Sequence, residues 1–144
     1  MKFNDFLAFL LTLIAIVIVV YGFTIRFSEG LVPRLEENCE GYSVFIFPDE
    51  DKIDTEMGKG KLTRLRVINA GSFGDKYEVS LTGPEWAVIK PDSFSLKSEE
   101  SKSLFLYISP DLGTEGKYDL EVTVKSKCVS ETEGIEIGVL KEEI

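Results

Sequence analysis

The chain has 144 residues, a formal net charge of −9 and no histidine. An acidic protein of this kind repels nucleic-acid phosphates and anionic lipid, so we expect no nucleic-acid partner. Without histidine the chain cannot form a Ser-His-Asp or Cys-His catalytic arrangement, and it lacks the most common transition-metal ligand.

The first predicted element is an apolar run at residues 6–23, FLAFLLTLIAIVIVVYGF, which contains no charged side chain. An α-helix of that length covers about 27 Å, close to the roughly 30 Å of a bilayer's hydrocarbon core. The run is longer than a typical signal-peptide core, no Ala-x-Ala cleavage pattern follows it, and it has no polar stripe. We therefore predict a retained transmembrane helix at 6–23 after a short cytosolic N-terminus at 1–5. A cleaved signal peptide and a soluble core helix are the alternatives.

A linker is predicted at 24–40, because glycine and proline interrupt any continuation of the helix there. Charges on the two sides of the apolar run do not settle its orientation. The N-terminal side carries Lys2 and the α-amine, which Asp5 offsets, and the other side carries Arg26 and Arg34. The charges on the two sides nearly balance, so the positive-inside rule gives little information.

Two cysteines, Cys39 and Cys128, flank the region that follows the linker. A bridge between them would close a loop of about 90 residues and contribute up to about 4–5 kcal/mol in the chain-entropy model. We predict this disulfide, and two unrelated buried thiols are the alternative. Because disulfides persist outside the cytosol, the bridge favours an N-terminus inside the cell and a C-terminal domain outside it.

From Tyr42 onward apolar and polar residues alternate, and the pattern breaks roughly every 8 to 12 residues, which is typical of a β-sandwich or barrel. Segment 49–60 is predicted as a polar connection, and 94–96 as the first strand of a hairpin with 104–108. The candidate strands are 42–47, 62–68, 77–81, 86–89, 94–96, 104–108, 118–124 and 135–139. Alternation with one polar face indicates antiparallel sheets. We predict an all-β, antiparallel sandwich of about 7–8 strands over 41–144.

Several short motifs punctuate these strands: Asn69-Ala-Gly71, Gly83-Pro84-Glu85-Trp86, a strand ending in Pro110, and Gly116-Lys-Tyr118. This pattern, over residues 60–128, resembles the Ig-like domains of archaeal and bacterial surface proteins, which also occur beside carbohydrate-binding domains in some glycosidases. The resemblance implies an Ig-like sandwich. Asn69 and Gly71 tolerate left-handed turn geometry, and Tyr118 lies where a tyrosine corner is found.

No motif in the sequence predicts catalysis or a cofactor. The acidic residues Asp49, Glu50, Asp51, Asp54 and Glu56 offer oxygen ligands for Ca²⁺. They lack EF-hand spacing, so a solvated loop is the preferred interpretation.

The remaining candidates for a binding site are side chains on the outer side of a strand. If Leu104 and its alternate neighbours point inward, then Phe105 and Tyr107 point outward, and Arg64 and Arg66 lie on an outer face too. An aromatic patch flanked by arginine suits protein contact. Ordinary cross-strand pairing on a sheet is the alternative.

The predicted function is that of a non-enzymatic, single-pass membrane protein without a cofactor. It displays one Ig-like domain outside the cell membrane, as a protein-interaction or structural component of the cell envelope or of a membrane complex. One alternative is an archaellum-stator-like protein that contacts the surface layer, since one N-terminal helix and one Ig-like domain are similar to that architecture. The other is a carbohydrate-binding module, which would need a row of exposed Trp or Tyr.

Overall fold

The architecture comes from a computed structural model, which describes residues 11–17 and 38–141. Residues 11–17, within the predicted transmembrane run, are α-helical. The remainder of that run, the predicted N-terminus at 1–5 and most of the predicted linker lie outside the described residues. Among the described residues, no helix is long and apolar enough to cross a membrane.

Nine strands occupy the described part of the chain between residues 38 and 141. They are β1 (Val44–Pro48), β2 (Lys52–Glu56), β3 (Lys61–Asn69), β4 (Asp75–Thr82), β5 (Ala87–Lys90), β6 (Ser93–Leu96), β7 (Ser101–Ile108), β8 (Gly116–Lys125) and β9 (Ser130–Leu140). One sheet has the order β1-β3-β7-β5, and the other has the order β2-β9-β8-β4-β6. All neighbouring strands run antiparallel except β2 and β9, which are parallel.

A single hydrophobic core fills the space between the two sheets, and every strand contributes to it. Its buried members are Val44, Ile46, Ile53, Leu65, Val67, Tyr77, Ala87, Ile89, Leu96, Leu104, Leu106, Ile108, Leu120, Val122, Val124, Ile135, Ile137 and Val139. These residues alternate with outward side chains, as the period of two requires. The predicted all-β sandwich is therefore confirmed, with nine strands in place of the expected seven or eight. The expectation of wholly antiparallel sheets is wrong at one place, because β2 and β9 run parallel.

The additional strand, β2, lies within segment 49–60, where the sequence predicts a polar connection. Its inward residues Ile53 and Thr55 are buried, but the other three residues are charged. Because of these charged residues, the segment resembles a polar loop, although its buried and exposed positions alternate as in a strand. The partner of β2 is β9, at the far end of the domain sequence, so no local pattern could reveal the pairing.

The predicted hairpin between 94–96 and 104–108 is wrong. β6 pairs with β4 in the five-stranded sheet, whereas β7 pairs with β3 and β5 in the other sheet. The connection therefore crosses the sandwich from one sheet to the other. Alternation identifies a strand, but the pairing partner depends on which core positions meet in three dimensions.

Asn69, at the end of β3, is a buried polar residue with its hydrogen bonds made. Its Nδ2 donates to the carbonyl oxygens of Phe73 at 2.8 Å and Leu96 at 3.3 Å, and its Oδ1 accepts from the N–H of Gly71 at 3.0 Å. Neither Asn69 nor Gly71 has a positive φ, so the expected left-handed turn is wrong. Gly71 is needed for another reason, because a Cβ there would lie 2.6 Å from the carbonyl oxygen of Gly41.

The tyrosine corner is present. The hydroxyl of Tyr118 donates to the carbonyl oxygen of Thr114 at 2.9 Å. The ring of Trp86 stands edge-on to the Tyr118 ring, with a centroid distance of 5.1 Å. The motif tryptophan therefore has a packing role in the sandwich.

The disulfide between Cys39 and Cys128 is also present, with a Cα–Cα distance of 5.1 Å and a sequence separation of 89. Cys39 precedes β1, and Cys128 lies in the turn between β8 and β9. The Oγ of Ser126 accepts from the N–H groups of Cys128 at 3.2 Å and Val129 at 3.3 Å, which fixes that turn. The bridge thus attaches the start of the domain to its last hairpin.

Replacing both cysteines, Cys39→Ser with Cys128→Ser, should lower the free energy of unfolding by about 2–5 kcal/mol, because the unfolded chain regains the entropy of a long open loop. Urea unfolding of the full chain in detergent micelles measures the change. A reducing agent should reproduce the loss in the wild type and have no further effect on the double variant. Equal stability of both proteins would contradict the prediction.

Tyr77 is fully buried on β4, and its hydroxyl has no hydrogen-bond partner among the described residues. Its ring lies 5.6 Å from that of Phe94. Burial, together with the nearby charge of Asp75, raises the pKa of Tyr77 from 10.0 to about 12. The folded protein therefore holds the phenolic proton at a pH where the unfolded chain has lost it.

That difference predicts a fall in stability as the pH rises from 10 to about 12, the interval between the unfolded and folded pKa of Tyr77. The full contribution is present below this interval, and the fall amounts to roughly 2–3 kcal/mol. Tyr77→Phe should abolish the fall. It should be at least as stable as the wild type at neutral pH, because it removes an unsatisfied buried hydroxyl.

Urea unfolding at a series of alkaline pH values measures this effect, and Tyr107→Phe serves as the matched control on an exposed ring. The control should retain the fall. The same pH dependence in Tyr77→Phe as in the wild type would show that burial of this hydroxyl does not cause it.

Candidate interaction surface

The four-stranded sheet carries several large apolar side chains on its solvent-facing side. Six of them, each between 46% and 60% exposed, define what we term the aromatic face: Phe45, Phe47, Leu62, Val88, Phe105 and Tyr107. Single exposed apolar side chains are common on proteins, but a group of this size on one side of one sheet is characteristic of a contact surface.

The structure brings together the four residues that the sequence suggested for protein contact. Arg64 and Arg66 alternate along the outer side of β3, and Phe105 and Tyr107 alternate along β7 beside it. Arg64 lies directly opposite Phe105 in the antiparallel register. The four side chains thus share one side of one sheet.

Sequence reasoning missed the contribution of the two edge strands. Phe45 and Phe47 on β1 belong to the aromatic face, as does Val88 on β5. In the sequence of β1, two phenylalanines alternate with Val44 and Ile46, so one of the two sets must face water. Because the run is apolar at every position, the sequence does not show which set that is. Only the pairing of β1 with β3 decides it.

Gly60, immediately before β3, makes room for the ring of Tyr107. A Cβ at this position would collide with the Tyr107 hydroxyl oxygen and lie 2.9 Å from the ring carbon that bears it. The phenol of Tyr107 therefore lies across the backbone at Gly60. This contact holds one end of the aromatic face in place.

Cations accompany the apolar side chains, and two of them have carboxylate partners at the sheet margins. Arg64 Nε donates to Asp49 Oδ2 at 3.2 Å, and Lys90 Nζ donates to Asp92 Oδ2 at 2.8 Å. The hydrogen bond from Lys90 lowers the pKa of Asp92. All four side chains are well exposed, so these pairs contribute little to stability.

Arg66 differs from the other two cations. Its guanidinium carbon lies 5.9 Å from the centre of the Phe47 ring. Ser103 is its direct neighbour across the β3–β7 ladder. A shallow cavity of about 390 Å³ opens here, and we term it the Arg66 notch; its lining includes Phe47, Asp49, Arg64, Arg66 and Ser103.

The outer side of the five-stranded sheet has a different character. Its outward charged residues are Lys52, Asp54, Glu56, Lys76, Glu78, Lys117, Asp119, Glu121, Lys125 and Glu136, with serine and threonine between them. Leu140, at the end of β9, is the one large apolar side chain among the outward positions of these described strands. The two sides of the sandwich are therefore chemically distinct.

A cleft of about 1010 Å³ lies beside β4, β6 and the end of β8. Lysines and carboxylates line it together, including Lys76, Lys97, Lys125, Asp75 and Glu100. Oδ2 of Asp75 has no hydrogen-bond partner among the described residues. These groups form no nucleophile–base arrangement, so we assign no chemistry to the cleft.

The acidic segment around β2 is engaged in ion pairs. Besides the Asp49–Arg64 pair, Glu50 accepts from Lys61 at 2.8 Å, and Glu56 pairs with Lys59. Across residues 11–17 and 38–141, no group of three or more His, Cys, Asp or Glu side chains is arranged to hold a metal ion.

No protein-family model matches the chain, and no curated protein matches it either. Solved structures do show similarity. The ASH/PapD-like domain 7 of human CEP192 is 18% identical with a TM-score of 0.52, over 70% of this chain and 86% of that one. A CARDB domain from Pyrococcus furiosus, determined in complex with di-metal ions, is 19% identical with a TM-score of 0.54, over 70% and 90% of the two chains.

Part of a larger enzyme is also similar. A family 123 glycoside hydrolase from Clostridium perfringens is 10% identical with a TM-score of 0.58, and the match covers 69% of this chain but only 28% of the hydrolase. At such identities the likeness concerns the fold alone. Together with the two sheets and the common core, it supports an Ig-like β-sandwich fold, similar to that of PapD-like and CARDB domains.

Proposed function

We propose that this chain is a single-pass membrane protein that holds one Ig-like sandwich outside the membrane as a non-enzymatic interaction domain. The aromatic face is the contact surface, and its partner is a protein of the cell envelope or of a membrane complex. The observation that carries the proposal is the contrast between the two sides of the sandwich. One side presents six large apolar residues, and the other is almost entirely polar.

The size of the aromatic face supports a role in binding. Each aromatic ring can bury about 150–250 Å², so six half-exposed side chains offer roughly 500 Å² of apolar surface. That area is comparable to the largest apolar patches on soluble proteins, which are often functional. The patch sits on paired strands, so little conformational entropy is lost when a partner orders it.

The location outside the membrane is supported by two features of the chain. The uncharged run at 6–23 has the length of a membrane span. The Cys39–Cys128 disulfide is a kind of bond that persists outside the reducing cytosol.

The carbohydrate-binding alternative has less support. Trp86 packs against Tyr118 and so does not belong to an exposed row of rings. Three of the four rings on the aromatic face belong to phenylalanine, which has no hydrogen-bonding group for a sugar hydroxyl. The archaellum-stator-like alternative rests on the arrangement of one helix and one Ig-like domain, and it specifies one kind of partner for the same surface.

A photo-crosslinking residue placed at Phe105 or at Tyr107 should form one dominant crosslinked species in the cells that make this protein. The reason is that a partner bound to the aromatic face lies within reach of both rings. Immunoblotting and mass spectrometry of the purified product measure the result.

Ser80 provides the matched control, because it is exposed on the outer side of β4 in the other sheet. The same residue placed there should form no such species. Identical products from all three positions, or none above background from Phe105 and Tyr107, would contradict the proposal. These rings would then have only a packing role within the sheet.

Protease added to intact cells should degrade the sandwich, because we place the domain outside the membrane. Immunoblotting with an antibody against the domain measures the loss, and a cytosolic protein serves as the control for cell integrity. Protection of the domain in intact cells, with both cysteines open to alkylation, would exclude the outside location.

A further inference from the structure

We infer that the partner of the aromatic face is an acidic protein segment that places a carboxylate in the Arg66 notch and apolar side chains on the neighbouring rings. This inference rests on the proposed function of the aromatic face as a protein-contact surface, and it adds the chemistry of the partner.

The first argument is the distribution of charge. The chain carries a net charge of −9. Yet among the described strands, the outward positions of the four-stranded sheet hold three cations, Arg64, Arg66 and Lys90, and no carboxylate. The aromatic face is therefore a cationic region on an acidic protein, and complementary charge on a partner would steer binding to it.

The second argument is the state of the individual cations. Asp49 neutralises Arg64, and Asp92 neutralises Lys90. Among the described residues, Arg66 forms no ion pair with a carboxylate, and its guanidinium lies over the ring of Phe47. A guanidinium that lies over a ring and has no carboxylate partner keeps its planar fork of N–H donors available, and that fork matches a carboxylate in bidentate fashion.

The third argument is the setting of Arg66. The Arg66 notch is concave, and Ser103 adds a hydroxyl directly opposite on β7. Phe47 lies on the other flank of Arg66, and Phe105 follows Ser103 by two residues on the same side of β7. A carboxylate bound in the notch would thus be bordered by apolar rings, which strengthen its interaction with Arg66 by excluding water.

Charge also argues against a second copy of this chain as the occupant. A two-fold symmetric contact would bring Arg66 of both copies, which has no carboxylate partner among the described residues, into one interface, where like charges repel. The outer side of the other sheet supplies carboxylates, but Leu140 is the one large apolar residue among its outward positions in the described strands. A different protein with both properties fits the surface better.

A displayed library of random short peptides, selected against the full chain in phosphatidylcholine nanodiscs, tests the inference. Enriched peptides should combine Asp or Glu with aromatic or aliphatic residues. Binding of a representative peptide, measured by fluorescence anisotropy, should weaken at least roughly tenfold in Arg66→Glu, because the variant presents a carboxylate to a carboxylate. It should also weaken with added salt.

Lys76→Glu is the matched control, since it makes the same change of charge on the outer side of the five-stranded sheet. It should bind the peptide as the wild type does. Circular dichroism and urea unfolding of both variants establish that each remains folded.

Any of the following results would overturn the inference about an acidic partner. The proposed function would still be decided separately, by the crosslinks from Phe105 and Tyr107. Enriched peptides without acidic residues, or equal binding by Arg66→Glu and the wild type, would show a contact surface that does not select acidic partners. A lack of any enrichment would exclude recognition of a short acidic segment.

Arg66-dependent flotation with vesicles of phosphatidylcholine and phosphatidylglycerol would assign the face to lipid, and Arg66-dependent dimers in sedimentation would assign it to a second copy.

Discussion

The antiparallel pairing of β3 with β7 is the interaction on which the rest of this structure depends. It places Leu65 opposite Leu104, both fully buried, and it places Arg64 opposite Phe105 on the solvent side. One register therefore fixes the centre of the core and the centre of the aromatic face together. A slip by one residue would exchange the two sides, putting a guanidinium in the core, at a cost that no surface contact could offset.

Around this central pair, a few long-range contacts determine how the ends of the sandwich close. Asn69 hydrogen-bonds to the carbonyl groups of Phe73 and Leu96 and so ties β3 to the start of the link between the sheets. The disulfide joins the segment before β1 to the turn after β8. The disulfide thus restrains the segment that leads into β1, and the phenylalanines of β1 form one border of the aromatic face.

The contrast between the outer sides follows from the same architecture. A sandwich buries one side of each sheet, and each remaining side is free to differ in composition. Here the five-stranded sheet presents a mixture of charges that interacts well with water, whereas the four-stranded sheet presents rings and guanidinium groups. At Arg66, whose guanidinium carbon lies 5.9 Å from the centre of the Phe47 ring, a positive charge and an apolar ring are next to each other. Binding energy and selectivity can therefore come from the same small region.

The sequence by itself determined the all-β class, the alternation of most strands, the Cys39–Cys128 bridge and the outward position of Phe105. These features depend on a local period or on the presence of just two cysteines. Only the tertiary structure decided that β2 pairs with β9, that β6 and β7 belong to different sheets, and that Phe47 lies opposite Arg66. The physical reason is that strand partners are chosen by long-range packing and backbone hydrogen bonding, which a local pattern of residues does not encode.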